Sequence, residues 1–403
     1  MAEPLSGPHV VADEAEALHV QRFSIAYEYP VYFTRDAFDS RNTVLADALT
    51  RREPGKRHRF LPMVDEGLLG SYPDLPAAIA AYAAAHADRL ELIAPAEIVP
   101  AGEACKNDPA LVERLQRRLY ELGVDRHSYT VAIGGGAMLD LAGYVSATAH
   151  RGIRHVRMPT TVLAQDDSGV GVKNGVNAFG IKNFLGTFAP PAAVVNDFDF
   201  LDMLPARDRI AGMAEAVKVA LIRDGAFFAW LEQRADDLAA FVPDAVEYLV
   251  RRCAELHMRQ IAHGGDPFET GSARPLDYGH WSAHKLEAIS GHAVRHGEAV
   301  AIGMALDTRY AVLAGMLTSG AEERVCRLLK RLGFDLWHPG LEARNKAGEL
   351  VLLRGLQDFR EHLGGELTIT LLRQIGVGEE VHHMDERLIL ESLAWLKKRY
   401  AKG

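Results

Sequence analysis

An apolar strand that runs directly into three glycines is the feature that most constrains the fold of this chain. The strand is predicted over Tyr129–Gly134, and Gly135 and Gly136 lead from it into a segment of helical spacing. Glycines at such a junction allow the backbone to approach a phosphate, whose charge the free amides of a helix N-terminus stabilise. Three glycines can also form a tight turn that binds nothing, so the local pattern leaves both interpretations open.

Strand and helix patterns alternate around these glycines. Strands are predicted over 23–34, 57–65 and 90–94, and helices over 77–85 and 108–122. This alternation favours a mostly parallel sheet with helices on both faces. Past Pro205 helical spacing dominates, and Leu367 begins the single convincing strand of that half. We therefore predict an α/β domain over 21–204, a mainly α-helical domain over 205–403, and a loosely attached extension over 1–20.

The composition is that of a soluble globular protein, with 48% hydrophobic and 25% charged residues in a chain of 403. A formal net charge of −9 argues against a nucleic acid or an anionic membrane as the partner, since either would require a basic face. No apolar run approaches the roughly 20 residues of a membrane span, and the start of the chain lacks the pattern of a secretory signal. Cys105, Cys253 and Cys326 are far apart in sequence, which suits a reducing cytoplasm.

Histidines and carboxylates are concentrated in one short region of the C-terminal half. His280, His284 and His296 lie there together with Glu287 and Glu298. His280 and His284 are four residues apart, so on a helix both imidazoles lie on one face and can converge on a metal ion. The alternative is that the two histidines share a solvated or core face and bind nothing.

Two other clusters could contribute polar groups to a site. The loop from Pro159 to Asn177 contains acids, a lysine, hydroxyls and glycines. It could surround an anionic small molecule, or it could be an ordinary polar surface loop. Glu215 and Lys218 are three residues apart on one helical face, where the usual outcome is a surface ion pair worth roughly a few tenths of a kcal/mol.

Together these segments resemble the sugar phosphate cyclase superfamily, whose best-known member is 3-dehydroquinate synthase. The resemblance covers roughly residues 60 to 375 and rests on GGGxxxDxxGYxxxxxxRG (134–152), PTTxLAxxDSxVGVKxGVN (159–177), KN (182–183), GMAExxK (212–218), GHxxxHxxE (279–287) and HGEAVAIGM (296–304). It implies an α/β N-terminal domain that binds NAD and a mainly α-helical C-terminal domain that binds a divalent metal ion, zinc or cobalt. Catalysis on a small sugar phosphate would occur in the cleft between them, and the enzyme would be a phosphate-eliminating carbon–oxygen lyase.

The resemblance also implies a role for each matching residue. Glu215, His280 and His296 would bind the metal ion, so only one histidine of the helical pair would be a ligand. The residues that would bind NAD are Asp65, Glu103, Lys106, Gly135, Gly136, Asp140, Thr160, Thr161 and Lys182. The residues that would hold the substrate phosphate are Arg151, Lys173, Asn183, Lys218 and His284. Arg151 would reach in from a partner subunit, which implies a homodimer, and Asp167 would contact the reacting polyol.

The positions that would contact the far end of the substrate depart from 3-dehydroquinate synthase. Asp277 replaces an asparagine of the family pattern, Arg274 lies one position out of register, and Arg259 stands where a lysine is usual. Near the C-terminus, Arg360 and His362 fall where the family has a DKK segment. The residues that we expect to be catalytic are Asp167, Lys173, Lys218, His284, Asp277 and Arg259.

Asp277 determines which substrate we expect. An ionised carboxylate here would repel the carboxylate of a heptulosonate phosphate but accept hydrogen bonds from hydroxyls. We therefore expect a neutral-headed ketose phosphate such as sedoheptulose 7-phosphate, and a C7 cyclitol product of the kind made in secondary metabolism. Two alternatives stay open: a divergent 3-dehydroquinate synthase acting on a heptulosonate phosphate, and a metal- and NAD-dependent polyol dehydrogenase.

Overall fold

The computed structural model describes residues 20–263, 276–362 and 366–401. The strands are β1 (Val31–Thr34), β2 (His58–Asp65), β3 (Leu90–Leu92), β4 (Glu97–Val99), β5 (Tyr129–Gly134), β6 (Arg154–Pro159), β7 (Lys173–Ala178), β8 (Ile181–Phe188), β9 (Ala193–Asp197), β10 (Ile369–Gln374) and β11 (Val377–Val381). The helices are α1 (Val44–Thr50), α2 (Glu66–Leu69), α3 (Leu75–Ala85), α4 (Pro109–Glu121), α5 (Gly136–Thr148), α6 (Asp199–Asp202), α7 (Ala206–Arg223), α8 (Gly225–Gln233), α9 (Ala235–Ala239), α10 (Pro243–His263), α11 (His280–Ile289), α12 (His296–Leu313), α13 (Ala321–Arg331), α14 (Arg354–His362) and α15 (Glu386–Tyr400). In these described ranges, no helix combines the length and the apolar character that crossing a membrane requires.

The N-terminal half is organised around one parallel sheet. Its seven strands follow the order β1-β9-β6-β5-β2-β3, and β4 also pairs with β2. Met63 of β2 is in register with Ala132 of β5, which is in register with Arg157 of β6. Because the strands are parallel, the carboxyl ends of β2, β5, β6 and β9 meet at one edge, where open α/β sheets bind their ligands.

Helices cover both faces of this sheet. Phe60 and Leu61 are consecutive residues of β2, so their side chains point to opposite faces. Phe60 packs in a core with Leu49 of α1 and Tyr82 of α3, whereas Leu61 packs in a separate core with Leu115 of α4. The α/β architecture predicted for the N-terminal half is therefore confirmed.

The C-terminal half is mainly α-helical, as predicted. Helix α7 lies at its centre, and all residues from 211 to 222 are buried. A helix buried on every side should be apolar all round, yet Glu215 and Lys218 are charged. Val162 and Phe198 of the N-terminal half belong to the same hydrophobic core as α7, so the two halves pack directly together.

The strand predicted over 23–34 is too long. Only Val31–Thr34 pairs with β9, and Phe23, Ile25 and Tyr27 are exposed. An alternating pattern forms a strand only where a neighbouring strand supplies hydrogen bonds, and β9 supplies them from Val31 onward.

The end of the polar loop predicted over 159–177 forms the first strand of an antiparallel hairpin. Strands β7 and β8 pair through a turn at Phe179 and Gly180, which both adopt positive φ, at 54° and 76°. Two residues of positive φ suit the right-handed twist of paired strands. A second hairpin pairs β10, which was predicted, with β11, which was not.

Candidate active site

The carboxyl edge of the sheet brings together residues that were predicted to bind NAD. Asp65 ends β2, and its side chain accepts a hydrogen bond from the Gly67 amide at 2.8 Å. A Cβ on Gly134 would lie 2.9 Å from the Cβ of Asp65, so glycine is needed there. Helix α5 begins at Gly136, and the Thr160 amide at the end of β6 donates to the Gly134 carbonyl at 3.0 Å. The unpaired amides at the start of α5 therefore face an edge that can hold a pyrophosphate.

A cavity of about 290 Å³ opens at the same edge, at the ends of β1 and β9. Asp36, Asp39, Asp197 and Asp199 line it. Burial raises the pKa of Asp197 to about 6, although amide hydrogen bonds oppose the shift. Carboxylates disfavour a phosphate group in this cavity, so the three-glycine junction is the better place for a pyrophosphate.

Lys106 links residues predicted for NAD to one predicted for the substrate phosphate. Its buried ammonium donates to Asp140 Oδ2 at 2.6 Å and to the side-chain oxygen of Asn183. Asn177 accepts a hydrogen bond from the Asn183 amide at 2.8 Å and donates to Glu103 Oε1 at 3.1 Å. Burial raises the pKa of Asp140, an effect that Lys106 opposes. The β7–β8 hairpin is thereby tied to the NAD edge.

Arg157 of β6 organises the neighbouring loop and was missed from the sequence. Its guanidinium is fully buried. It donates to the backbone carbonyls of Ser168, Gly169, Gly171 and Lys173 and to Oδ1 of Asn174, at 2.7–3.2 Å. This irregular backbone joins Asp167 to Lys173, so Arg157 fixes the chain between two predicted substrate contacts. A lone arginine within a strand has no local pattern that marks this role.

Glu215 and Lys218 form a buried ion pair, not the surface pair that their spacing suggests. Lys218 Nζ lies 2.7 Å from Glu215 Oε1, and the two side chains are 4% and 2% exposed. Burial opposes the charge on Glu215, but Lys218 and His257 outweigh it and lower its pKa. Burial also opposes the charge on Lys218, but Glu215 and Asp167 raise its pKa. Both groups are therefore ionised at neutral pH.

His257 of α10 is a second residue that the sequence interpretation missed. Its Nε2 donates to Glu215 Oε1 at 3.0 Å, and its Nδ1 lies 3.3 Å from Asp167 Oδ1. Burial lowers the pKa of His257, but the two carboxylates outweigh burial and raise it. Asp166 is fully buried nearby, and burial together with Glu215 raises its pKa well above the ordinary value. No local motif marks His257, which lies more than 20 residues before the histidine cluster that begins at His280.

Three histidines meet where α11 and α12 begin. The ring centroid of His280 lies 5.3 Å from those of both His284 and His296. Burial and then Lys218 lower the pKa of His280 well below its ordinary value, so its imidazole is neutral and has a lone pair for a metal ion. His296 Nδ1 donates to Glu287 Oε1 at 2.7 Å, an arrangement that leaves Nε2 to act as a ligand.

Two groups of histidine and acidic side chains in the described ranges bring one ligand atom from each member within 4.8 Å of the others. They are His284, Glu287 and His296, and Asp167, Glu215 and His257. The predicted ligands are divided between these groups, with Glu215 in one and His296 in the other. His280 lies beside His296 and lowers the pKa of Glu215, so it lies near both groups. Imidazole nitrogens and an ionised carboxylate suit a divalent ion such as zinc, while the assignment of ligands stays a prediction.

The other predicted substrate residues lie at different distances from this cleft. Asp277 contributes to raising the pKa of Lys218, which places it near the buried ion pair. Arg259 is exposed on α10, and Arg360 is exposed on α14. Arg151 is exposed after the end of α5 and adopts a φ of 62°.

Two predicted residues cannot be placed in this site. Arg274 and the side chain of His362 lie outside the described part of the chain.

At the NAD edge, Lys182 Nζ is 4.0 Å from Glu103 Oε1, and the Thr161 hydroxyl accepts a hydrogen bond from the turn that follows β6.

Two family models match consecutive parts of the chain. The model described as 3-dehydroquinate synthase N-terminal matches residues 96–211, and the model described as 3-dehydroquinate synthase C-terminal matches residues 212–352. The chain therefore belongs to the 3-dehydroquinate synthase family of sugar phosphate cyclases, which the sequence motifs predicted.

Solved structures of other proteins are similar to this chain over almost its whole length. A 2-epi-5-epi-valiolone synthase from Streptomyces hygroscopicus subsp. jinggangensis 5008, with NAD⁺ and Zn²⁺ bound, is 29% identical, with a TM-score of 0.81 over 94% of this chain and 100% of that one. A 2-deoxy-scyllo-inosose synthase in complex with carbaglucose-6-phosphate, NAD⁺ and Co²⁺ is 25% identical, with a TM-score of 0.72 over 91% of this chain and 96% of that one. A probable glycerol dehydrogenase from Sinorhizobium meliloti 1021 shares the fold, with a TM-score of 0.60 at 16% identity over 92% and 96% of the two chains.

Proposed function

We propose that this protein is an NAD- and divalent-metal-dependent cyclase that converts a heptulose phosphate, sedoheptulose 7-phosphate, to a C7 cyclitol. The observation that carries the proposal is that Asp277 lies close enough to the buried Glu215–Lys218 pair to help raise the pKa of Lys218. The residues expected to bind the metal ion and the substrate phosphate match the family motifs, while the carboxylate of Asp277 suits a hydroxyl-bearing substrate and opposes an anionic one. The likeness to a 2-epi-5-epi-valiolone synthase over almost the whole chain supports this choice.

The proposed reaction proceeds through oxidation, phosphate elimination, reduction and intramolecular aldol closure. Different residues serve different steps. Glu215, His280 and His296 would hold a zinc or cobalt ion that would polarise the substrate oxygens, and bound NAD would supply a reversible hydride acceptor. Asp167 accepts a hydrogen bond from a substrate hydroxyl, and the ammonium of Lys218 stabilises negative charge in the cleft.

The leaving phosphate needs cationic groups and hydrogen-bond donors around it. Lys173, Asn183 and His284 supply these from the β7–β8 hairpin and from α11, together with Lys218. Gly135 and Gly136 at the start of α5 would hold the pyrophosphate of NAD, in the manner of helix N-termini that bind anions. All three cysteines are free and buried, which supports the expected reducing compartment, the cytoplasm.

A homodimer is part of the proposal. Strand β8 is exposed along almost its whole length, and the exposed apolar side chains of the hairpin are Phe179, Ile181, Phe184, Leu185 and Phe188. An apolar strand of this kind is a surface that a second copy would cover. We expect Phe184→Asp to shift the protein towards monomers in light scattering, and Tyr120→Asp, at an aromatic residue on α4 that is also exposed, to leave the dimer intact. A dimer that Phe184→Asp does not weaken would contradict this interface.

Arg151 is expected to act across that interface. If it reaches the neighbouring active site, mixing two inactive variants, Arg151→Ala and Glu215→Ala, should restore part of the activity, because mixed dimers contain one site with both residues intact. No recovery after subunit exchange would show that Arg151 acts within its own subunit.

The reaction is tested by measuring released phosphate. Purified protein is incubated with NAD, zinc or cobalt, and either sedoheptulose 7-phosphate or a heptulosonate phosphate. Phosphate released only from sedoheptulose 7-phosphate is the expected result, and turnover of only the heptulosonate would identify a divergent 3-dehydroquinate synthase. Net accumulation of NADH with a simple polyol would identify a polyol dehydrogenase, because a cyclase returns its hydride.

Asp277→Asn tests the electrostatic basis of substrate choice. Removing the charge should raise kcat/KM for a heptulosonate phosphate relative to sedoheptulose 7-phosphate by about tenfold, the factor that corresponds to about 1.4 kcal/mol. Asp88→Asn, which removes an exposed carboxylate after α3, serves as the control. A greater loss with the anionic substrate than with the neutral one would refute the role given to Asp277.

A further inference from the structure

His257 is a buried histidine whose two ring nitrogens face two carboxylates of the candidate site. Nε2 lies 3.0 Å from Glu215 Oε1, and Nδ1 lies 3.3 Å from Asp167 Oδ1. The imidazole thus spans the space between a predicted metal ligand and a predicted substrate contact. Asp167, Glu215 and His257 come from a turn after β6, from α7 and from α10, so no local motif connects them.

The contacts on Glu215 are unevenly distributed between its oxygens. His257 Nε2 and Lys218 Nζ both bond to Oε1, at 3.0 and 2.7 Å. This arrangement leaves Oε2 as the oxygen that can bind a metal ion. A carboxylate held through one oxygen by two fixed donors has a set orientation, and carboxylate ligands generally depend on such hydrogen bonds.

Burial alone does not explain this arrangement, as a second histidine shows. His155 on β6 is also buried, and burial lowers its pKa to about 3, so it is a neutral core residue. Its Nε2 makes no hydrogen bond within the described residues, and the charged neighbour that contributes to its lowered pKa is Arg157. His257, by contrast, has an acidic partner on each nitrogen.

We propose that His257 is a positioning residue that orients Glu215 for the metal ion and Asp167 for the substrate. This inference rests on the proposed function, because it assigns roles to residues of that same site. His257 acts through the two carboxylates and does not itself bind the ion. Loss of the Nε2 bond should weaken metal binding, whereas loss of the Nδ1 contact should weaken only the reaction of the substrate.

The two nitrogens can be tested separately with amide side chains. The amide nitrogen of His257→Gln can occupy the place of Nε2 and bond to Glu215, and that of His257→Asn can occupy the place of Nδ1 and bond to Asp167. His257→Leu removes both contacts. Metal-free protein is titrated with zinc against a chromophoric chelator, and the cobalt-loaded protein is followed by its visible absorption, so neither measurement depends on turnover.

The expected result is a crossed pattern. His257→Asn and His257→Leu should bind zinc about 10- to 100-fold more weakly than the wild type, the usual effect of losing an outer partner of a metal ligand. His257→Gln should bind zinc like the wild type but show a lower kcat with unchanged metal content. His155→Gln is the matched control and should leave zinc affinity unchanged. Thermal unfolding of each metal-free variant separates these effects from a loss of folding.

Three outcomes would overturn the inference. Zinc affinity equal to the wild type in all three variants of His257 would show that it does not orient Glu215. A loss in His257→Leu as complete as that in Glu215→Ala, with a changed cobalt spectrum in His257→Gln, would make His257 a ligand. A wild-type protein that binds neither zinc nor cobalt would overturn both this inference and the metal assignment. Failure to turn over sedoheptulose 7-phosphate would overturn only the proposed substrate, because metal affinity is measured without it.

Discussion

At the carboxyl edge of the sheet, the three-glycine junction of the candidate NAD site consists of backbone, whereas the candidate metal site consists of ionisable side chains from several helices. At the edge, the backbone of Gly134 lies very close to the side chain of Asp65, so that a Cβ on Gly134 would meet it. In the helical cleft, Glu215, Lys218 and His257 are all buried and ionisable, so the charge on each must be balanced by the others. The first region should fail when atoms are added, and the second when a charge is removed.

The largest effect is expected from removing one member of the buried ion pair. Glu215→Ala should abolish metal binding and activity, and it leaves the ammonium of Lys218 buried without its partner. Removing one partner of a buried pair costs about 3–5 kcal/mol in the free energy of unfolding. Metal analysis, phosphate release and urea denaturation measure the three consequences.

A double variant separates the lost charge balance from the lost ligand. Adding Lys218→Met to Glu215→Ala should recover most of the stability but none of the metal, because it removes the uncompensated charge. Full metal loading of Glu215→Ala would show that the ion is held by the other group of His284, Glu287 and His296.

A smaller effect is expected at Arg157, which combines features of both regions because a buried charge there is bonded mainly to backbone. Arg157→Lys keeps the charge but cannot reach the same set of acceptors, so Asp167 and Lys173 should shift. Misplacement of reacting groups costs on the order of 100-fold in kcat/KM, and NAD affinity should fall much less. Arg154→Lys on the same strand, whose arginine bonds to Glu53, is the control and should change neither kcat/KM nor NAD affinity. Equal losses of NAD and substrate binding in Arg157→Lys would show that the whole edge of the sheet is disrupted.

At the sheet edge, adding a single methyl group should be enough to weaken NAD binding. Gly134→Ala places a Cβ 2.9 Å from the Cβ of Asp65, so the Asp65 side chain must move. We expect the Kd for NAD to rise by about tenfold, which corresponds to about 1.4 kcal/mol, in a fluorescence titration. Gly55→Ala, where a Cβ would meet nothing within 4 Å, is the control. Unchanged NAD affinity in Gly134→Ala would show that the sheet edge accommodates the added methyl group without loss of the NAD site.

The smallest effect is a pH dependence of stability caused by Asp307, a buried acid on α12. Burial raises the pKa of Asp307 from 3.8 to about 7, although Trp281 Nε1 and the Gly279 amide donate to it. Between about pH 4 and pH 7 the folded protein therefore retains a proton on Asp307 that the unfolded chain loses, and stability falls as the pH rises through this window.

Asp307→Asn should remove this contribution. The slope of the free energy of unfolding against pH should become less steep by at most about 1.4 kcal/mol per pH unit, as measured by urea denaturation across the window. Identical slopes in the wild type and in Asp307→Asn would show that Asp307 is ionised in the folded protein.

Much of the fold follows from local patterns. Tyr129–Gly134 is apolar and is followed by glycines, and the structure has a buried strand and a helix start there. The helical spacing after Pro205 likewise corresponds to helices. The strand predicted from residue 23 was wrong over most of its length because an alternating pattern does not reveal whether a neighbouring strand exists to pair with it.

Some residues of the candidate site likewise follow from local patterns, and others do not. Local patterns specify the three-glycine junction and the histidines of α11 and α12, because backbone preferences and helical spacing act over a few residues. Tertiary packing, in contrast, buries Glu215 and Lys218, brings Arg157 to the loop before β7, and brings His257 to a carboxylate 42 residues away. These contacts depend on how distant elements pack, and burial then sets which charges must be paired; neither is encoded in the local spacing of residues.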